Sequence, residues 1–231
     1  MFIQQLWRYP VKSMKGESLE EAALVSDGIS GDRLIHVRGP GGRIITSRTH
    51  PRLLALRAAL GDDGVARVDG LRWNDPTTAK AVHDAAGAGA MLVAYDGLER
   101  FDVLPLLVAT DGAIEAFGED GRRLRPNIVI GDVAGLAERE WAGRTLRIGG
   151  EDGPLIAVDS LRRRCVMTTY HPDTQVQDHH VLRKIVRDFG GELALDCAVK
   201  RPGRIRAGDP VTLIGPPARP TTCRAVHGAG E

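Results

Sequence analysis

The 231-residue chain lacks the features that mark several broad classes of protein. No apolar run approaches the roughly 18 residues that a membrane-spanning helix requires. Residues 1–8 alternate like a strand and do not show the basic-then-apolar layout of a signal peptide. The formal net charge is only +1, which is no electrostatic signature of nucleic-acid or anionic-membrane binding. We therefore expect a cytoplasmic protein that binds neither nucleic acid nor membrane.

Cysteine is also scarce. Cys165, Cys197 and Cys223 are odd in number and far apart, so the sequence suggests neither a disulfide framework nor a zinc site. The plant-type C-x4-C-x2-C spacing of an iron–sulfur cluster is absent. If the chain reduces a substrate, its electrons are therefore expected from a separate partner.

Short β-prone runs dominate the first part of the chain. Residues 33–38 and 43–48 flank a Gly/Pro loop, which predicts a hairpin. Residues 54–60 and 65–68 flank Asp62-Asp63-Gly64 and predict a second one. Evenly spaced short strands favour a barrel or sandwich over an α/β sheet.

The predicted fold is mainly β with a few helices (α+β), built as two linked β-barrel-like units. The first unit is predicted over residues 1–90, the second over 91–215, and a flexible tail over 216–231, where Cys223 lies.

Helices are predicted where a cap precedes a periodic stretch. Asp75 begins one that runs to Ala86, and Asp111 begins a short one that ends at Phe117. The clearest helix runs from Asp178 to Phe189, with an apolar stripe of Leu182, Ile185, Val186 and Phe189.

Strands are predicted over most of the remaining second half. They include residues 164–169, residues 193–199 with Cys197 facing the core, and a final strand pair around Gly208-Asp209.

The most informative stretch is residues 164–174, where Cys165 follows the three arginines 162–164. Positive charge favours a thiolate, the form of cysteine that binds soft metals or attacks electrophiles. A lone cysteine is more commonly a small buried hydrophobe, and this reading stays open at Cys165.

Basic and amide side chains recur at other predicted strand ends and turns. Lysine, arginine, serine and asparagine donate hydrogen bonds to anionic oxygens or ring heteroatoms if they converge in a cleft, although each is also an ordinary surface residue. These residues are Lys12, Ser13, Arg33, Ser47, Arg48, Arg125 and Asn127.

Taken in order, these segments resemble the MOSC family, named after the C-terminal domain of molybdenum cofactor sulfurase. The likeness is greater to the subgroup with an N-terminal β-barrel, which includes amidoxime-reducing proteins and bacterial reductases of N-hydroxylated bases. It spans residues 2 to about 214. The motifs that carry it are Tyr9-Pro10-Val11-Lys12-Ser13-Met14-Lys15-Gly16, Gly31-Asp32-Arg33, Ser47-Arg48, Arg125-Pro126-Asn127-Ile128-Val129, Arg164-Cys165-Val166-Met167-Thr168-Thr169 and Pro172-Asp173-Thr174.

The resemblance implies a molybdenum cofactor (Mo-molybdopterin) with Cys165 as the protein's ligand to the metal. It implies that Thr168 and Thr169 line the pocket beside the metal, with Arg164 in the cofactor site. It further implies that Lys12, Ser13, Arg33, Ser47 and Arg48 hold the phosphate and pterin, and that Arg125 and Asn127 lie beside the pterin.

Tyr170 and His171 depart from the family pattern, because relatives often have an apolar residue and then an aspartate at these two positions. His171 is either a proton donor near the metal or a turn residue, and a polar residue before Pro172 is typical of a turn.

The leading hypothesis is a molybdenum-dependent oxidoreductase that reduces small N-hydroxylated or otherwise N-oxygenated substrates. It implies a separate ferredoxin- or cytochrome b5-type electron donor with its reductase. One alternative is a carrier of persulfide sulfur on Cys165, or of the cofactor, without turnover of its own. Another is a binding module that has lost its cofactor, since fold likeness alone does not establish activity.

Overall fold

The computed structural model describes residues 1–95, 97 and 100–215, so the predicted tail and Cys223 lie outside the described residues. Within this part the chain forms mainly strands, with three α-helices, which confirms the predicted fold class. The elements are β1 (Phe2–Arg8), β2 (Glu17–Leu19), β3 (Glu21–Val25), β4 (Gly28–Ile29), β5 (Ile35–Arg38), β6 (Ile44–Ile45), β7 (Ala58–Leu60), β8 (Ala66–Val68), β9 (Leu71–Arg72), α1 (Pro76–Ala86), β10 (Met91–Ala94), β11 (Leu106–Thr110), α2 (Asp111–Phe117), β12 (Ile128–Gly131), β13 (Thr145–Ile148), β14 (Leu155–Arg163), α3 (His179–Phe189), β15 (Glu192–Arg201), β16 (Gly203–Arg206) and β17 (Val211–Ile214).

The largest layer is an eight-stranded sheet in the order β17-β13-β14-β15-β11-β12-β1-β2. Its pairs are antiparallel except β11 with β12, which run parallel on either side of α2 in the chain. One face of this sheet carries a core that includes Ile3, Val108, Ile128 and Leu195. Cys197 belongs to this core and is fully buried, as predicted.

Three smaller sheets complete the β-structure that the structure describes: β10-β5-β6, β16-β3-β4 and β7-β8-β9. The hairpins β5-β6 and β7-β8 confirm the two predicted from the Gly/Pro loop and from Asp62-Asp63-Gly64. A second core, which includes Val11, Val37, Leu53 and Val82, joins these strands to α1.

The N-terminal segment is not confined to one unit. Strands β1 and β2 lie in the eight-stranded sheet, and β3 pairs with β16 from the end of the chain. These pairings join the two parts of the chain along sheet edges, so the division at residues 90 and 91 stays a prediction.

The three α-helices begin at capping side chains that satisfy free backbone N–H groups. Asp75 caps α1 and Asp178 caps α3, as the sequence predicted. The cap of α2 is Thr110 instead of Asp111, because the Thr110 hydroxyl accepts from the Ala113 N–H at 3.1 Å.

The apolar stripe of α3 is shifted from the prediction. Val181, Ile185 and Phe189 are buried, whereas Val186 is 58% exposed. Positions 181, 185 and 189 are four residues apart, so their side chains lie on one helix face, which packs beside Phe117 and Leu124.

Three strand predictions are corrected by the structure. Residues 166–169 form a 3-10 turn, Val166–Thr169, because backbone and hydroxyl hydrogen bonds close locally onto the preceding carbonyls. Leu54 lies in a second such turn, Pro51–Ala55, ahead of β7. The final strands do not pair with each other, since β16 pairs with β3 and β17 with β13.

Candidate functional site

The structure brings most of the predicted site residues to one cavity. This cavity has a volume of about 130 Å³ and is lined by segments that lie far apart in the chain. Nine of the twelve predicted residues line it: Lys12, Ser13, Arg33, Ser47, Arg48, Arg125, Asn127, Arg164 and Cys165. We refer to this space as the basic cavity.

The lining of the basic cavity is strongly cationic. It contains seven lysine or arginine side chains and one carboxylate, that of Asp102. Such an excess of donors suits an anionic ligand, because charge-assisted hydrogen bonds to oxyanions are shorter and stronger than neutral ones. The cations are Lys12, Arg33, Arg48, Arg125, Arg162, Arg163 and Arg164.

Three residues that line this cavity have an unusual backbone geometry. Ser13, Arg33 and Arg125 have φ values of 73°, 54° and 56°, a left-handed region that costs free energy for residues with a Cβ atom. Such strain persists where the surrounding structure holds it, which is frequent at functional sites. Here each strained residue directs the chain at a turn after a strand or a 3-10 segment.

Asp102 is a site residue that the sequence analysis missed. Its carboxylate lies 2.9 Å from Lys12 Nζ and 3.1 Å from Arg48 Nη2. Burial would raise the pKa of Asp102, but Lys12 and then Arg48 lower it, so the carboxylate is charged at neutral pH. The sequence signal was only one of several acidic residues ahead of β11, which does not reveal its distant partners.

A buried hydrogen-bond network holds two of the residues that line the basic cavity, Arg33 and Asn127. Asp32 accepts from the backbone N–H of Tyr9 at 2.7 Å, from Asn127 Nδ2 at 3.2 Å, and from the guanidinium of Arg33. Asn127 Oδ1 in turn accepts from the Leu107 N–H at 3.1 Å. Asp32 lies in the Gly31-Asp32-Arg33 motif, where the sequence predicts a role only for Arg33, and it orients both Arg33 and Asn127.

Arg125 is held by contacts on two sides. Its Nη2 donates to the Met14 carbonyl at 2.8 Å, and its guanidinium lies 4.3 Å from the centroid of the Tyr9 ring. Burial raises the pKa of Tyr9 to about 12, so its hydroxyl stays protonated at neutral pH and donates to the Pro126 carbonyl. Burial lowers the pKa of Arg125.

Cys165 lies at the start of the 3-10 turn and is partly exposed, in contrast to the fully buried Cys197. The neighbouring Arg164 donates from Nη2 to the Leu124 carbonyl at 2.7 Å. Burial, together with the charge of Arg162, lowers the pKa of Arg164 to about 10, while Cys165 opposes this shift. Arg164 therefore remains cationic at neutral pH beside the Cys165 thiol.

Two guanidinium groups of the lining retain unused donors. The Nε atoms of Arg162 and Arg164 are buried and have no hydrogen-bond partner in the part of the chain that the structure describes. Arg162 is nonetheless anchored, since its Nη2 lies 2.6 Å from Asp196 Oδ1.

Three predicted site residues are placed elsewhere. Thr168 and Thr169 are fully buried and do not line the cavity, because their hydroxyls donate to the carbonyls of Cys165 and Val166 at 2.9 and 2.7 Å. Arg123 Nη1 also donates to the Thr168 and Thr169 carbonyls, and these hydrogen bonds stabilise the turn.

His171 has the geometry of a turn residue. Its Nδ1 accepts from the backbone N–H groups of Asp173 and Thr174 at 3.2 and 3.3 Å, and it does not line the basic cavity.

The described residues contain no group of three or more His, Cys, Asp and Glu side chains arranged to hold a metal ion. The basic cavity thus offers a metal the thiol of Cys165 rather than a complete protein ligand set. Among the same residues, no helix has the length and apolar character needed to cross a membrane.

Comparison with known families places both parts of the chain. The profile described as the MOSC N-terminal beta barrel domain matches residues 1–96, and the profile described as the MOSC domain matches residues 112–212. The chain belongs to the MOSC family. The resemblance seen in the sequence is thereby confirmed. Both matched regions contribute to the basic cavity, Lys12 to Arg48 from the first and Arg125 to Cys165 from the second.

Two curated proteins are similar to this MOSC chain along most of their length. Mitochondrial amidoxime-reducing component 1 of Mus musculus is 25% identical over 284 residues, covering 92% of this chain and 82% of the relative. The Homo sapiens protein of the same name is 25% identical over 289 residues, covering 92% and 83%.

Solved structures give weaker similarity. The YUAD protein from Bacillus subtilis has a TM-score of 0.49 at 14% identity, covering 92% of this chain and 94% of that one. YiiM from Escherichia coli has a TM-score of 0.44 at 14% identity, covering 94% and 71%.

Proposed function

We propose that the basic cavity binds the molybdenum cofactor, with Cys165 as the protein's ligand to molybdenum, and that the loaded protein reduces N-hydroxylated or otherwise N-oxygenated substrates. MOSC domains are associated with binding of this cofactor. The curated relatives are named for reduction of amidoximes, which are N-hydroxylated. The observation that carries the proposal is the convergence of Cys165 and seven cations on one cavity.

The lining fits the cofactor in its donor chemistry. The phosphate and the ring heteroatoms of a pterin are hydrogen-bond acceptors, and the unused Nε donors of Arg162 and Arg164 are available to such groups. A buried donor without a partner costs roughly 1–3 kcal/mol, so a ligand that accepts from these atoms is favoured. A thiolate is a soft ligand, as molybdenum with its sulfur-rich surroundings requires.

Each lining residue then has a distinct role. Lys12, Ser13, Arg33 and Arg48 would bind the phosphate end and the pterin, with Ser47 beside Arg48. Arg125 and Asn127, fixed by Met14, Tyr9 and Asp32, would orient the ring system. Arg164 would keep positive charge beside the Cys165 thiolate.

The cofactor, when bound, would supply the redox chemistry in which substrate oxygen leaves as water with two electrons and two protons. The chain's own contribution is binding and orientation. Asp102 is part of this contribution, because its carboxylate occupies Lys12 and Arg48 until an anion replaces it.

We also propose a separate electron donor of the ferredoxin or cytochrome b5 type, together with its reductase. The sequence contains no iron–sulfur spacing that would supply electrons internally. A cytoplasmic location likewise remains our prediction.

The test is elemental analysis of protein purified from a host that makes the cofactor, with benzamidoxime reduction measured using a chemical reductant. Wild type is compared with Cys165→Ala and with the matched thiol control Cys223→Ala. We expect about one molybdenum per chain in wild type and Cys223→Ala, and lost or altered molybdenum binding with loss of reduction in Cys165→Ala. Full reductase activity in Cys165→Ala would overturn the proposal.

The same samples test the rival function, a carrier of persulfide sulfur. Its supporting observation is the partly exposed Cys165 thiol. Sulfane sulfur on Cys165 in wild type, with no molybdenum in any sample, would support the carrier and reject the enzyme.

A further inference from the structure

A second, larger cavity adjoins the basic cavity. It has a volume of about 330 Å³, and Arg125 and Met167 line both spaces. Met167 belongs to the same 3-10 turn that follows Cys165, so this turn borders both cavities. Small-molecule sites in proteins begin at about this volume. We call this space the side pocket.

One part of the side pocket is apolar and aromatic. Trp7, Tyr9 and Tyr170 contribute rings, and Leu54 and Pro172 contribute aliphatic surface. Aromatic side chains bind planar rings through offset or edge-to-face contacts. This part is therefore suited to a flat, unsaturated molecule.

The remaining lining is positively charged. Five cations, Lys15, Arg57, Arg122, Arg123 and Arg125, face two carboxylates, those of Glu17 and Asp173. Arg122 and Arg123 also pair with Asp120 and Glu119 outside the lining. Among the described residues Arg57 and Arg125 have no carboxylate partner, and these two cations favour an anionic ligand over a neutral or cationic one.

The carboxylate of Glu17 already has hydrogen-bond partners that are not among the lining cations. It accepts from Arg8 Nε at 2.8 Å and from the Leu60 N–H at 2.9 Å. Glu17 therefore pairs with Arg8, which is not one of the five lining cations.

Asp173 holds two of the cations. Its Oδ1 lies 3.1 Å from Lys15 Nζ and its Oδ2 lies 2.6 Å from Arg122 Nη2. Hydrogen bonds from Arg122 and then Lys15 lower the pKa of Asp173 to about 2, so this carboxylate is charged at neutral pH. It is half exposed, so an incoming anion competes with it at little desolvation cost.

Arg57 remains the most available cation. Within the part of the chain that the structure describes, its guanidinium makes no hydrogen bond or ion pair, although its backbone N–H donates to Asp69. Arg57 is exposed, so a carboxylate in the side pocket could pair with it without displacing a protein partner.

We propose that the side pocket binds the body of an anionic aromatic substrate: a planar ring that carries a carboxylate, with its N-hydroxylated group directed past Met167 toward Cys165. This inference rests on the proposed function, because only a reductase needs such an orientation. It narrows the substrate class to N-hydroxylated aromatic acids.

The first test measures binding without turnover. Molybdenum-loaded protein is titrated calorimetrically with 4-carboxybenzamide, which has the ring and carboxylate but no N-hydroxyl group. Neutral benzamide and cationic 4-(aminomethyl)benzamide are the comparison ligands. We expect 4-carboxybenzamide to bind at least tenfold more tightly than either. Equal affinities, or no binding of the carboxylate, would overturn the inference.

Variants then locate the site. We expect Arg57→Ala to weaken binding of 4-carboxybenzamide about fivefold, and Arg67→Ala, an arginine of β8 that does not line the pocket, to leave it unchanged. Asp173→Asn should strengthen binding several-fold, because it frees Lys15 and removes one of the two carboxylates that hold Arg122, the other being Asp120. A gain of affinity cannot come from misfolding. Unchanged affinity in both Arg57→Ala and Asp173→Asn would overturn the inference.

Both the proposed substrate and the pterin cofactor contain a ring and an anionic group, so either could occupy the side pocket. Titrating cofactor-free protein with 4-carboxybenzamide distinguishes the two. Equal binding to loaded and cofactor-free protein supports a substrate pocket. Binding only to cofactor-free protein means that the cofactor itself fills the side pocket, and rejects the inference.

Turnover distinguishes this inference from the proposed function. We expect 4-carboxybenzamidoxime to be reduced with a KM at least tenfold below that of benzamidoxime. Equal KM values for the two would reject the inference and leave the reductase intact. Tight binding of 4-carboxybenzamide without reduction of either amidoxime would reject the reductase instead.

Discussion

The carboxylate of Asp102 lies 2.9 Å from the ammonium group of Lys12, inside the cavity that an anionic cofactor would enter. Asp102 also reaches Arg48, so one internal anion neutralises two of the cations proposed to bind phosphate. An incoming phosphate must therefore compete with this carboxylate. The arrangement keeps the cations in position before the ligand arrives.

Replacing Asp102 with asparagine should raise the affinity of cofactor-free protein for inorganic phosphate. Removal of the carboxylate frees Lys12 and Arg48, and a gain of about 1 kcal/mol corresponds to roughly fivefold tighter binding. Calorimetric titration with phosphate measures the change. Asp63→Asn is the control, because Asp63 pairs with Arg67 and Arg72 away from the cavity. Equal affinity in wild type and Asp102→Asn would contradict this prediction.

Asn127 links two parts of the chain through its side chain, which is fully buried. Its amide contacts Asp32, and its carbonyl oxygen accepts from the Leu107 N–H. Asn127→Ala should lower the free energy of unfolding by about 2–4 kcal/mol, because it leaves buried polar partners unsatisfied. Urea denaturation followed by circular dichroism measures the loss.

The matched control for this change is Asn74→Ala, since Asn74 is exposed. It should alter the free energy of unfolding by less than about 0.5 kcal/mol. Similar losses in the two variants would show that the Asn127 network contributes little.

Because the Tyr9 hydroxyl is buried, we expect the folded chain to lose stability in alkali. Burial raises its pKa to about 12 in the folded chain, above the ordinary value of 10.0. The protonated hydroxyl therefore stabilises the fold fully below about pH 10, and this contribution is lost as the pH rises toward about 12. At about 1.4 kcal/mol per pKa unit, the loss over these two units is on the order of 3 kcal/mol.

Urea midpoints at pH 8 and pH 11 test this expectation in wild type and Tyr9→Phe. At pH 8, where the Tyr9 hydroxyl donates to the Pro126 carbonyl, wild type should be more stable than Tyr9→Phe. Between pH 8 and pH 11, wild type should lose more stability than Tyr9→Phe does. Tyr170→Phe should behave like wild type between the two pH values. Parallel losses in wild type and Tyr9→Phe would argue against a buried, protonated Tyr9.

The cysteines should differ in their reactivity toward thiol reagents. Cys197 is fully buried and its pKa is raised well above the ordinary value by burial, whereas Cys165 is partly exposed. In cofactor-free native protein, Cys165→Ala should remove one reactive thiol. Cys197→Ala should leave the native count unchanged and lower only the count in denaturant. Modification of Cys197 in native protein would contradict the buried assignment.

Much of the fold was predictable from local chemistry. The Gly39–Gly42 loop, the Asp75 and Asp178 caps and the burial of Cys197 each depend on neighbouring residues or on a short repeating pattern. Such signals act within one element, so the sequence contains them directly.

Errors appeared where a distant contact competed with local preference. Val166–Thr169 has β-prone residues but forms a 3-10 turn, in which the threonine hydroxyls bind carbonyls three residues earlier and the distant Arg123 binds the Thr168 and Thr169 carbonyls. The resemblance implies that Thr168 and Thr169 line the pocket beside the metal; in the structure both are fully buried and neither lines the basic cavity.

The candidate site shows the same difference between local information in the sequence and long-range contacts in the structure. The kinds of residue that a cofactor requires, such as Lys12, Arg33 and Cys165, were visible in the motifs of the chain. Their convergence, the pairing of Lys12 with Asp102, and the side pocket beyond Met167 arise only when segments about 100 residues apart meet. Local pattern reflects the backbone's preference over a few residues, whereas cavities and ion pairs are set by long-range packing, which only the tertiary structure specifies.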